Sequence, residues 1–184
     1  MKKSTRITSA AVAALLLTGG TTFVANAGTS PAAPAAKPAA DVHIAASNAV
    51  PQNRVSVGAS AKTVGAALAQ CQADKLPFVT VAVVDRFGTV QAILRGDNAA
   101  EHTIESARAK AYTAAAFGAP TSELAKRIQG SGPSIADLPG TLFLPGGVPL
   151  KINGVSVAGI GVGGAPDGML DEACANAGAA VLAK

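Results

Sequence analysis

The stretch Lys151–Gly164, KINGVSVAGIGVGG, decides between two folds. Its second half, Gly159–Gly164, satisfies G-x-G-x-x-G, the spacing with which a strand–turn–helix unit cradles the pyrophosphate of a dinucleotide. That reading needs a further strand after the helix and an acidic residue about 20 positions on, at the ribose. Only a helical segment follows here. The first half points elsewhere: Asn153-Gly154 between two β-rich runs is the strongest sequence signal for a two-residue hairpin. The stretch is therefore read as an antiparallel hairpin. Its glycines let a helix or a neighbouring subunit lie close on the strand.

The rest of the chain agrees with antiparallel pairing. Phe78–Arg95, FVTVAVVDRFGTVQAILR, reads as a second hairpin: Val79, Val81 and Val83 alternate with Thr80, Ala82 and Val84, and Gly88 closes the turn. Before it, Ala61–Lys75 repeats Val64, Ala67, Leu68 and Cys71 at helical spacing and is stopped by Pro77. After it comes a helix around SARAKAYTAAAF, Ser106–Phe117, with Asp97 or Asn98 as candidate N-cap and Gly118 with Pro120 as its end. A short helix over 121–129 is capped by Thr121 or Ser122, and a long Gly/Pro loop spans 130–149. A final helix begins near Asp167, its candidate cap. Helix, hairpin, helices, hairpin, helix implies an α+β fold, one antiparallel sheet flanked by helices.

Lys2, Lys3 and Arg6, the apolar run AAVAALLLTG and the small residues Ala25–Ala27 form a secretory signal peptide over 1–27. The run is too short to span a bilayer, so a secreted protein without membrane insertion is expected. Residues 28–51, rich in Ala and Pro, read as an extended spacer, and 52–184 as the folded domain. The three leader cations belong to the 15 Lys and Arg; without them the excess over the 11 acidic residues falls to one. With only 3% aromatics, no nucleic-acid footprint remains. Cys71 and Cys174 are a candidate disulfide of an exported chain, with two buried thiols as the alternative.

The chain offers two histidines, His43 and His102, and two separated cysteines. That excludes a clustered zinc site, and no C-x-x-C-H motif for covalent haem is present. No catalytic residues are assigned: neither a nucleophile elbow nor a paired acid and base stands at a convincing spacing. The alanine-rich helix is more informative. Ile104, Ala107, Ala111, Ala114 and Ala115 share one face, fit for close packing on a sheet. Ser106, Lys110, Thr113 and Phe117 line the other, with His102 in register if the helix starts early. A ring, a cation and a hydroxyl can grip a flat, apolar, dianionic ligand: Phe117 stacking, Lys110 on a carboxylate, Thr113 giving oxygen to a metal. The same stripe also suits a solvated face or a subunit contact. His102 and Thr113 stand eleven residues apart, roughly 16 Å along a helix axis, so one iron meets both only across an oligomer interface.

VAVVDRFGTVQAILRGDNA (81–99), SARAKAYTAAAFGAPTSEL (106–124), LPGGVPLKINGVSVAGIGVGGA (144–165) and DEACANAGAA (171–180) together resemble the haem-binding GlcG/HbpS-like family. That family also includes the C-terminal domain of PduO-type proteins. The resemblance covers residues 60–184. It rests on Asp85 with Gly88, Lys110-Ala111 with Thr113, Gly146-Gly147 before Pro149, Gly154, and Asp171. It implies a profilin-like fold with five antiparallel strands, one more than the residues themselves show, near Val55 or Leu142. It also implies non-covalent haem with iron at Thr113, and a homo-oligomer such as an octamer. For exported members it adds a membrane sensor kinase as partner. A hydroxyl is a weak iron ligand beside imidazole or thiolate, so modest affinity and incidental iron-driven haem breakdown are expected rather than a dedicated enzyme. The rivals are a structural or signalling module that binds no haem, and a small-molecule enzyme using the Gly/Pro loop. The haem reading has Thr113 as its one iron ligand and leans on that oxygen facing away from its own chain's interior.

Overall fold

Serine and valine mark the real start of the first helix. In the computed structural model, which describes residues 41–129 and 134–183, the Ser56 side chain caps α1, Val57–Ala73, by accepting the Ala59 N–H. The expected leader and most of the spacer lie outside the described residues. Residues 41–54 are exposed, His43 among them. A compact unit runs from Ser47 to Lys184.

Its sheet has four strands: β1 Thr80–Asp85, β2 Val90–Arg95, β3 Gly147–Ile152 and β4 Val155–Gly163, in the order β2-β1-β4-β3. Every pairing is antiparallel. The β3–β4 turn is the expected one, with Asn153 at φ 50° and Gly154 at φ 81°, both left-handed as such a turn requires. Among the described residues no fifth strand is formed. Val55 sits just before the α1 cap, and the Leu142 N–H goes to the Thr113 side chain rather than to a sheet neighbour.

Period-two alternation sends β1 and β4 into two cores. Val81, Val83, Ala158, Ile160 and Val162 face α1 and α4, Gly168–Ala180. Ala82 and Val84 face α2, His102–Phe117, meeting Ala107 and Ala111. Helices therefore cover both faces, which explains why all six β1 residues are buried. On the α1/α4 side, Cys71 and Cys174 are joined in a disulfide with Cα atoms 5.5 Å apart. Asp167 caps α4 by accepting the Met169 N–H.

The caps expected for the middle helices are not used. α2 follows Glu101, which makes no side-chain cap bond, and α3, Thr121–Ala125, follows Pro120. Thr121 instead accepts the Gly147 N–H at 2.8 Å, tying α3 to β3.

Candidate functional site

α2 organises everything near the proposed ligand residues. Ala107, Ala111, Ala114 and Ala115 are fully buried. Opposite them on β4 lie Gly159, Gly161 and Gly163, where an added Cβ would run into the α2 backbone or Ser106. Alanine meeting glycine lets backbone approach backbone, and this is the use of the GIGVGG segment.

The opposite stripe does not form one open face. His102 is exposed and Ser106 half-buried, but Lys110 and Thr113 are buried. The Thr113 hydroxyl donates to the Ala109 carbonyl at 2.7 Å and accepts the Leu142 N–H at 2.8 Å. It has no solvent exposure. The expectation that this oxygen turns outward to iron is therefore corrected: it is satisfied by backbone groups within its own chain. Phe117 is half-buried, and Phe143 of the same loop meets its ring edge-on, centroids 5.4 Å apart. What covers the lower stripe is the chain's own segment before β3, folded back along α2.

Lys110 is no free cation either. Its ammonium lies 2.7 Å from Asp171 Oδ2, with side chains 4% and 2% exposed. The other Asp171 oxygen accepts the Ala165 N–H at 3.0 Å. Burial pushes the Asp171 carboxyl above its ordinary value, and Lys110 and the backbone N–H groups of Ala165 and Gly164 pull it back only in part. Next to it, Glu172 accepts the Ser122 N–H, the Ser122 hydroxyl and the Gly146 N–H. Consecutive acids at the start of α4 thus fasten α2, α3 and the β3 entry together. Pairing across 61 residues leaves no local pattern, so the role of Asp171 was not legible in its own segment.

Two clefts open along the exposed end of α2, and His102 and Ser106 border both. One, of about 380 Å³, lies between Ala109 and the 140–142 segment and is mostly apolar. The other, of about 300 Å³, descends between Leu144, Pro166 and Gly168 to Lys110 and Asp171. Among the described residues no three His, Cys, Asp or Glu side chains gather as a metal cluster, and no helix is long and apolar enough to cross a membrane.

Residues 58–180 match a family model described as haem degrading protein HbpS-like. Among solved structures, HbpS is 47% identical, with a TM-score of 0.73, covering 78% of this chain and 100% of its own. A double mutant of Streptomyces reticuli HbpS is 46% identical, with a TM-score of 0.75, over 80% of this chain and 100% of its own. A PduOC:heme complex is 26% identical, with a TM-score of 0.63, over 71% of this chain and 96% of its own. No curated protein matches.

Proposed function

Because the chain belongs to the HbpS-like family, we propose that it is a non-covalent haem-binding protein, exported to capture haem or iron or to sense it. The observation that carries this reading is 47% identity over the full length of HbpS, with a haem-bound relative further off. The residues fit haem at one accessible point. His102 presents an exposed imidazole beside a mostly apolar cleft, and imidazole is an ordinary axial ligand. Thr113 fits only if the Leu142 segment leaves it, and Phe117 stays engaged with Phe143. His102 would hold the iron, Ala109 and Leu142 of the same cleft would line the ring, and Glu105, held by Arg108 at 2.9 Å, borders that cleft. Bound haem supplies a redox-active iron at an open surface, which suits capture, signalling or incidental breakdown better than a sealed catalytic centre.

The disulfide favours an oxidising, extracellular setting. Exposed Val90, Ile93 and Leu94 on the outer strand β2 favour a homo-oligomer. A membrane sensor kinase as partner is in keeping with a sensing role.

Haem titration of the protein lacking residues 1–27 tests the reading. A saturable Soret shift is expected, lost or strongly blue-shifted in His102→Ala and retained in Thr113→Ala. An unchanged spectrum on adding haem would leave the rival, an oligomeric signalling or structural module, which the enclosed Thr113 oxygen favours.

A further inference from the structure

Lys110 and Asp171 meet where α2, the segment before β3 and the start of α4 converge, and they floor the second cleft. Among the described residues the ammonium makes one hydrogen bond, to Asp171. An ammonium carries three donors, so two are left for whatever enters. Leaving such donors unmet in a buried place is costly. The second Asp171 oxygen accepts the Ala165 N–H, and the Ser106 hydroxyl borders the cleft beside Lys110. Gly146, at φ +128°, packs closely beside the pair: a Cβ there would stand 2.7 Å from the Val162 carbonyl oxygen, 2.8 Å from Asp171 Cβ and 2.9 Å from Lys110 Nζ.

We propose that this cleft is a carboxylate-binding site, in which the spare ammonium donors of Lys110 and the hydroxyl of Ser106 hold one carboxylate of a small organic acid or of a larger ligand's acidic arm. The site uses donors other than the His102 imidazole, although His102 and Ser106 border both clefts.

Propionate is the probe, followed by backbone amide NMR of the haem-free protein. Saturable shifts at Gly146, Gly164 and Ala165 are expected, with none on adding methylammonium. Ser106→Ala should weaken the apparent affinity by about 2- to 10-fold, the worth of one hydrogen bond. The paired variant Lys110→Met/Asp171→Leu, which exchanges the ion pair for apolar volume, should abolish the shifts while keeping a dispersed spectrum. Shifts that never saturate, or that persist unchanged in the paired variant, overturn the proposal. Repeating the titration with haem and with haem dimethyl ester identifies the source. Displacement of propionate by haem but not by the ester assigns the carboxylate to a haem propionate. Displacement by neither assigns it to a free acid.

Discussion

At the residue scale, Thr113 shows how a side chain suited to one task can be employed in another. Its hydroxyl bridges the Ala109 carbonyl and the Leu142 N–H. Thr113→Val keeps the shape and removes both bonds, leaving a backbone donor unmatched. A loss of about 1–3 kcal/mol is expected, read as a lower urea midpoint, whereas a surface threonine would show no change. Lys110→Met alone strands the Asp171 charge and should cost about 3–5 kcal/mol, with a large part regained when Asp171→Leu is added. The carboxyl itself gives a pH test. Its folded-state value is raised above the ordinary 3.8, so the folded chain holds that proton more tightly than the unfolded chain. The stabilisation from this group is complete below 3.8 and is lost as pH rises through the raised value. Carboxyl carbon NMR should place the Asp171 midpoint above 3.8; a midpoint below it would show that Lys110 outweighs burial.

At the element scale, the contact between α2 and β4 is made by subtraction of side chains. Gly161 faces the Ala107 carbonyl and the Ala111 N–H, with no room for a methyl group. Gly161→Ala should therefore destabilise by about 1–3 kcal/mol or more, whereas Gly154→Ala, with open space around it, is resisted only by its left-handed backbone. Hairpins and most helices were legible because alternation, Asn153-Gly154 and the glycine stops are local signals. The fifth strand was implied by resemblance alone, and no alternation near Val55 or Leu142 supported it. The α2 face was half legible. Its alanines announced a close neighbour, but nothing within the helix could say that Leu142 and Phe143, some thirty residues later, would cover Thr113 and Phe117. Burial from a distant loop leaves no periodicity behind.

At the scale of the whole molecule, α1 and α4 share one face of the sheet and are bolted by Cys71–Cys174 across 103 residues. Replacing both cysteines by alanine should lower stability by about 4–5 kcal/mol if chain entropy dominates, measured as a drop in Tm; an unchanged Tm would mean that packing between the helices already suffices. An even cysteine count in an exported chain suggested one bridge, but the count alone could not reveal whether the two helices present their thiols to each other.

The same bolt closes a covalent ring around β1, β2, α2, β3 and β4. The exposed stretch Ile135–Gly140 lies inside that ring. A protease that clips it once releases nothing: on a gel run without thiol the nicked chain stays one species of undiminished mass, and two bands separate only after reduction.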